Sequence, residues 1–218
     1  MVLTFALNFL TMIKFAPEGY PFILFFLAIT VLSAVFAPWV AIIPLALTLF
    51  MLYFFRDPER QIPDNKDIFV SPADGKIIVI REINEPRHLN ADVKQISIFM
   101  SPFNVHVNRA PCDGKVKTVQ HNAGKFFAAY KDDASLKNEN IEMVLESRYG
   151  ELLVRQVAGF IARRAVCRKN EGDILLRGER YGVIKFSSRV DIYLPQTSTV
   201  FVKLGDMVKA GETILAKI

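Results

Sequence analysis

Charged residues are absent from a long segment near the N-terminus. Between Glu18 and Arg56 the chain has no Asp, Glu, Lys or Arg over 37 consecutive residues. A membrane helix needs about 20 apolar residues, so this segment is too long for a single straight span. It is also too long for a secretory signal peptide, and it lacks a small-residue cleavage site.

Two prolines, Pro38 and Pro44, interrupt the uncharged segment. Proline disfavours helix in the residue before it, so we expect two short helices, 20–37 and 40–55, joined near Pro38. A membrane hairpin is the first interpretation. One tilted span with a re-entrant piece and a buried helical pair in a soluble protein are the alternatives. The sequence thus predicts a membrane-associated helical region over 1–55.

The positive charge lies in the rest of the chain. The protein has 27 Lys and Arg against 22 Asp and Glu, a net charge of +5, and residues 1–55 carry one Lys and one Glu. Basic residues cluster directly after the apolar segment, which predicts that the C-terminal part is cytoplasmic and attracted to anionic lipid headgroups. We find no aromatic-and-basic motif typical of nucleic-acid readers, so no nucleic-acid partner is expected.

Cysteine is scarce as well. Cys112 and Cys167 are the only two, with no C-x-x-C motif and no histidine at metal-ligand spacing. We expect both to be reduced core residues and predict no metal site.

Short alternating strands fill the domain predicted over 56–218. Turn signals occur at Asp74-Gly75, Tyr149-Gly150 and Gly205-Asp206, and this spacing indicates an all-β sandwich or barrel. For "AGFIARRAVCRK" we expect a helical turn, although a strand is the alternative. The C-terminal rhythm V-x-x-G-x-x-V-x-x-G-x-x-I resembles the hairpins of biotinyl and lipoyl domains. The chain lacks a carrier-lysine tripeptide, so the carrier function is not supported.

Eight segments in a fixed order carry a closer resemblance. They are "EGYPFI", "FFRDPER", "SPADGKI", "SPFNVHVNRAP", "GELLVRQVAGFIARRAVC", "GDILLRGERYGVIKF", "SSRVDIYLP" and "VKLGDMVKAGETIL". Together they resemble the short-form phosphatidylserine decarboxylases of bacteria, over about residues 19–218. The resemblance implies conversion of phosphatidylserine to phosphatidylethanolamine and carbon dioxide, on the cytoplasmic side of the bacterial inner membrane. The rivals are an inactive membrane-anchored adaptor and a decarboxylase of an archaeal ether lipid with a serine headgroup.

The same resemblance implies self-cleavage. Family members cut themselves at Gly-Ser in "GSRVD", and the serine becomes a covalent pyruvoyl cofactor. Aligned on Arg189-Val190-Asp191, the converting residue is Ser188, and the residue before it is Ser187 instead of glycine. We expect a large chain, 1–187, and a small chain, 188–218, that stay together as a heterodimer, with further oligomerisation left open. Glycine reaches the required backbone geometry most cheaply, so Ser187 should slow cleavage or block it.

Three side chains are candidates for acid–base and ketone chemistry. The resemblance implies that a ketone on Ser188 condenses with the substrate amine and accepts electrons as carbon dioxide leaves. His106 is the candidate for protonating Cα afterwards. Asp74 is the candidate general base or polarising acid in self-cleavage, although locally it is typical of a turn. Longer family members carry a second histidine where this chain has Arg109, so their Asp-His-Ser triad does not transfer whole.

Arginines are the candidates for binding the substrate's anionic groups. Arg109 and Arg164 present fork-shaped donors that match carboxylate and phosphate oxygens. The pair Arg163-Arg164 could meet the phosphodiester or an anionic bilayer, and a solvated basic face is an equal alternative. Phe99, Met100 and Phe103 flank the His106 segment; we expect them in the β core and not along an acyl-chain entry.

Overall fold

The computed structural model of the protein describes residues 14–124, 138–159, 164–186 and 188–218. The chain forms two compact units, Met1–Glu59 and Arg60–Ile218.

The N-terminal unit contains two apolar helices. A 3₁₀ turn, Pro17–Gly19, leads into α1, Tyr20–Phe36, and α2 covers Ile42–Phe54. The two predicted helices therefore form, and the break falls at the turn that begins at Pro38. The hydroxyl groups of Thr30 and Thr48 lie 3.2 Å apart where α1 meets α2, so the pair shares one polar contact in otherwise apolar surroundings.

The first helix is long enough for a bilayer. Together with its 3₁₀ turn it covers Pro17–Phe36, 20 residues that are apolar enough to cross a membrane. The 13 residues of α2 span about 20 Å at roughly 1.5 Å per residue, which is short of a hydrocarbon core of about 30 Å. Val35, Phe36 and Trp39 are largely exposed, as expected for surface that faces an apolar surrounding. One helix long enough to cross a membrane, followed by a shorter apolar helix, is thus the observed arrangement.

The C-terminal unit is built from short strands. In chain order β1 to β14 are Ile68–Val70, Gly75–Glu85, Ala91–Met100, Val107–Arg109, Gly114–Asn122, Asn140–Ser147, Gly150–Ala158, Ala165–Cys167, Ile174–Leu175, Arg180–Ile184, Ser188–Pro195, Thr199–Val200, Met207–Val208 and Ile214–Lys217.

Three antiparallel sheets result. The largest is a curled half-barrel of eight strands in the order β13-β2-β3-β11-β7-β6-β5-β9. Two three-stranded sheets, β4-β10-β8 and β1-β14-β12, complete the unit. The predicted mainly β fold with preceding helices is confirmed.

Side-chain alternation in β11 divides the large sheet into two different faces. Val190, Ile192 and Leu194 enter the main hydrophobic core, because alternate residues of a strand point to the same face. The residues between them, Arg189 and Asp191, are equally buried on the opposite face. Ser188 has the parity of Val190, so its side chain faces the core.

One predicted element is wrong. The helical turn expected in "AGFIARRAVCRK" is a strand at Ala165–Cys167, since these residues pair with Gly182, Val183 and Ile184 of β10. Pairing with a remote strand has overridden the local preference. Residues 160–163 of that segment lie outside the described residues.

Candidate active site

Ser188 begins β11 in the middle of the large sheet. It pairs with Met100 of β3 and with Ala158 of β7, and it is fully buried. Its hydroxyl lies 3.5 Å from the sulfur of Met100, which is a weak acceptor. The candidate nucleophile is therefore fixed on both sides by backbone pairing and lies away from solvent.

The segment that leads to Ser188 is tied to two candidate residues. The amide of Ile184 donates to the carbonyl of His106 at 3.3 Å, and the amide of Lys185 donates to the carbonyl of Arg164 at 3.2 Å. Phe186 then has φ of 61°, a left-handed conformation that is uncommon for a bulky residue. Ser187 lies outside the described residues. Backbone strain is thus present two residues before Ser188.

The imidazole of His106 is buried and oriented by the backbone. Its Nδ1 lies 3.0 Å from the carbonyl oxygen of Asn104, and a carbonyl can only accept, so Nδ1 carries a proton. Of the two ring nitrogens, Nε2 is therefore the one that can accept a proton. His88 and His121, in contrast, contact the carboxylates of Glu142 and Glu139 respectively.

Two residues near Ser188 were not predicted from the sequence. Asn108 lies in β4 and Gln156 in β7, and the amide nitrogen of Gln156 donates to Asn108 Oδ1 at 2.8 Å. Asn108 Nδ2 lies 3.8 Å from the same Met100 sulfur that contacts Ser188. The available signal was the polar Gln156 at a core-facing position of the otherwise apolar segment "LLVRQVA".

Asp74 lies in a buried ion pair. Both of its oxygens accept from Arg60, at 3.0 and 2.8 Å, and Oδ1 also accepts from the backbone amide of Ala210 at 2.8 Å. The side chains of Arg60 and Asp74 are only 7% and 12% exposed. The carboxylate is thereby joined to residues from both sides of the predicted cleavage point.

The candidate arginines lie in different surroundings. Arg109 is buried and donates to the carbonyl of Gly178 at 3.0 Å. Arg109 pairs with Arg180, the first residue of β10. Ile184, at the other end of β10, is roughly 13 Å further along the strand at about 3.3 Å per residue. Arg164 is exposed, and its backbone carbonyl accepts from the amide of Lys185. Lys185 is close in the chain to Ser188. Arg163, the neighbour of Arg164, lies outside the described residues.

The three apolar residues around the His106 segment differ in burial. Met100 is fully buried in the main core, as predicted, and Phe99 is half-buried. Phe103 is 68% exposed, so its prediction as a core residue is wrong. It follows the end of β3 in a turn.

Burial raises the pKa of two groups in the main core. Burial, with a smaller contribution from Cys167, raises the pKa of Tyr181 well above its usual value. Burial also raises the pKa of Cys112 to about 12. Both cysteines are free thiols. Within the described ranges no group of three His, Cys, Asp or Glu side chains could hold a metal ion.

Comparison with known proteins identifies the family. The sequence model of the phosphatidylserine decarboxylase family matches residues 47–216. The phosphatidylserine decarboxylase proenzyme of Syntrophus aciditrophicus is 45% identical over 204 residues, which cover 92% of this chain and 95% of that protein. The proenzymes of Citrifermentans bemidjiense and Desulfotalea psychrophila are each 47% identical, covering 92% and 93% of this chain and 94% and 96% of theirs. The chain belongs to the phosphatidylserine decarboxylase family.

Family membership confirms the resemblance carried by the eight segments. The relatives are named proenzymes, and Ser188 begins the segment "SRVD" that aligns with the family's cleavage motif.

The strands after Ser188 are integral to the decarboxylase fold. β11 lies between β3 and β7, β13 pairs with β2, and β14 pairs with β1. Each of these partners precedes the predicted cleavage point. A chain cut before Ser188 would therefore keep its C-terminal part through backbone pairing and the contact of Ala210 with Asp74.

Proposed function

We propose that this chain decarboxylates phosphatidylserine to phosphatidylethanolamine. The observation that carries the proposal is family membership over more than nine tenths of the chain, with Ser188 buried at the start of a central strand. In the reaction the bond between Cα and the carboxylate of the serine headgroup breaks. Carbon dioxide leaves, and Cα gains a proton in its place.

Self-cleavage precedes turnover in this proposal. The hydroxyl of Ser188 adds to the carbonyl carbon of Ser187, the peptide C–N bond breaks, and the nitrogen takes the hydroxyl proton, so an ester replaces the amide. Removal of the Ser188 Cα proton then expels the carboxylate of Ser187. Water replaces the nitrogen of the resulting dehydroalanine, ammonia is released, and a pyruvoyl group remains. The strained Phe186 and the paired β11 support this, since they fix the chain on both sides of the bond.

The surroundings of Ser188 fit the pyruvoyl group. This group keeps the Cα, Cβ and carbonyl of the serine, loses the hydroxyl oxygen to the Ser187 carboxylate, and carries an oxygen from water where the nitrogen was, so it needs no more space than the packed Ser188 already occupies. When formed, it supplies a carbonyl that accepts the electrons released with carbon dioxide.

We assign His106 to the proton that Cα receives. Its Nδ1 is engaged with the carbonyl of Asn104, so Nε2 is the nitrogen that delivers a proton. Its backbone carbonyl receives the amide of Ile184, which joins it to the segment before Ser188. We assign Asp74 to self-cleavage as base or polarising acid, with Arg60 and Ala210 fixing its position.

The arginines are proposed to bind the headgroup anions. Arg164 is exposed next to Lys185 and suits the phosphodiester. Arg109 is proposed for a carboxylate or phosphate, a role that requires its contact with the Gly178 carbonyl to be exchanged.

We place the protein at the cytoplasmic face of the bacterial inner membrane. The apolar α1 supports attachment, and the basic residues after α2 favour a cytoplasmic C-terminal unit. The large and small chains are proposed to form a heterodimer.

The test uses the full chain reconstituted in vesicles. With phosphatidylserine we expect phosphatidylethanolamine and carbon dioxide, together with a small fragment on a denaturing gel. Ser188→Ala should lose both. Vesicles of an archaeal ether lipid with a serine headgroup test the alternative substrate. A cleaved wild-type chain that leaves phosphatidylserine unchanged would contradict the proposal.

A further inference from the structure

Gln156 and Ser188 lie on the same face of the large sheet. Gln156 in β7 is opposite Val190 in β11, and Val190 and Ser188 share a face because they are two residues apart. Diagonal neighbours of this kind lie roughly 7–8 Å apart, within reach of a long side chain. Gln156 is 1% exposed, so its amide lies in the same dry interior as Ser188.

The orientation of the Gln156 amide follows from its neighbours. Its nitrogen lies 2.8 Å from Asn108 Oδ1 and 3.4 Å from the carbonyl oxygen of Val166. The Val166 carbonyl can only accept, so a flipped Gln156 amide would place oxygen against oxygen. The Val166 carbonyl therefore sets the orientation of the Gln156 amide, and Asn108 Oδ1 accepts from the same nitrogen.

The carbonyl oxygen of Gln156 has no donor among the described residues. Buried acceptors in native proteins nearly always have a partner, and an exception calls for an explanation. The neighbouring β10 leaves room for this amide through Gly182, where an added Cβ would lie 2.9 Å from the Gln156 nitrogen. The fold thus maintains an oriented, buried acceptor on the same sheet face as Ser188, one diagonal position away.

We propose that this oxygen binds the amino group of the lipid substrate as it reaches Ser188. The inference rests on the proposed function. In a phosphatidylserine headgroup the phosphate and carboxylate are acceptors at neutral pH, and the amine is the only donor. The amine is also the group that must approach residue 188. Gln156 is then a substrate-binding residue, and Asn108 is a positioning residue that acts through it.

Gln156→Met tests the proposal, because it keeps length and apolar volume and removes the carbonyl. Hydrogen bonds to charged groups are worth enough to change binding about 10- to 100-fold. We expect self-cleavage and the pyruvoyl mass to stay at wild-type levels, while KM for phosphatidylserine rises by that factor. Reductive trapping of phosphatidylethanolamine on the small chain, read by mass spectrometry, should fall equally. Inhibition by phosphatidic acid, which has no amine, should not change.

Gln95→Met is the matched control. Gln95 is equally buried, but it lies in β3 at a position paired with Tyr193, on the face opposite Ser188. This variant should keep wild-type KM and trapping. If Gln156→Met folds poorly, Asn108→Leu with Gln156→Met removes both amides together, so neither amide is left without the other.

Two results would overturn the inference. A cleaved Gln156→Met enzyme with wild-type KM and trapping would make Gln156 purely structural. Loss of self-cleavage in Gln156→Met and in the double variant, with normal cleavage in Gln95→Met, would assign Gln156 to the Ser188 hydroxyl instead of the substrate. Failure of the proposed function is distinguishable, since the cleaved wild-type chain would then leave phosphatidylserine unchanged.

Discussion

Arg189 donates from Nε to the carboxylate of Asp191 at 2.6 Å, and neither side chain reaches solvent. A second guanidinium nitrogen donates to Ser97 at 2.8 Å. This pair lies on the face of β11 opposite Ser188. The residue next to Ser188 is therefore anchored on the opposite face of the sheet, through Ser97 of β3.

Asp191→Asn should destabilise the protein strongly. It removes the carboxylate that Arg189 contacts at 2.6 Å in the buried interior, and breaking a buried ion pair costs about 3–5 kcal/mol. Urea unfolding in detergent, in the uncleaved Ser188→Ala background, measures the loss. Glu82→Gln is the control, because Glu82 is exposed and lies 3.8 Å from Lys94, so the pair should contribute less than about 1 kcal/mol. Equal stability of the two variants would contradict the anchoring role.

Asp74→Asn should slow self-cleavage by at least about 100-fold, the usual contribution of an acid–base group. Arg60→Met separates chemistry from positioning, because Asp74 keeps its bond from the Ala210 amide. We expect this second variant to cleave faster than Asp74→Asn. Glu212→Gln, whose residue lies 3.8 Å from Arg60, should cleave normally. The fraction of cut chain over time on denaturing gels is the measurement, and normal cleavage by Asp74→Asn would exclude the assignment.

Ser187→Gly should cleave faster than the natural sequence. Glycine avoids a backbone cost of about 1–2 kcal/mol in a strained conformation, which corresponds to roughly tenfold in rate. Ser187→Val should be slower than either, because a branched Cβ crowds the attacked carbonyl. Pulse–chase of newly made chain gives the three rates. An unchanged rate in Ser187→Gly would mean that this position does not limit cleavage.

Acid should weaken the fold through Glu142. Burial raises the pKa of Glu142, but the attraction of Arg155 and hydrogen bonds from His88, Arg155 and Asn122 outweigh it and leave the pKa below its ordinary value. The unfolded chain takes up this proton near pH 4.3, before the folded chain does. The stabilisation is therefore present above about pH 4.3 and is lost as the pH falls through the folded value. The free energy of unfolding should fall from pH 5 to pH 3, and it should fall less in Glu142→Gln. An equal fall in the wild type and in Glu142→Gln would contradict the assignment of this pH dependence to Glu142.

Local patterns predicted the fold well, and the site only in part. The uncharged segment predicted α1 and α2, and the apolar alternation in β11 predicted the face that enters the core. Both features depend on residues that are close together in the chain. The strand at Ala165–Cys167 was missed because its partner, β10, supplies the reason for it. Gln156 and Asn108 are 48 residues apart, and only packing between two sheets brings them together.

Intact-mass and N-terminal analysis of the purified, denatured protein tests the central claim most directly. The account predicts two polypeptides, 1–187 and a 31-residue chain 188–218, the latter beginning with a pyruvoyl group derived from Ser188. A single uncut chain that nevertheless releases carbon dioxide from phosphatidylserine would contradict it.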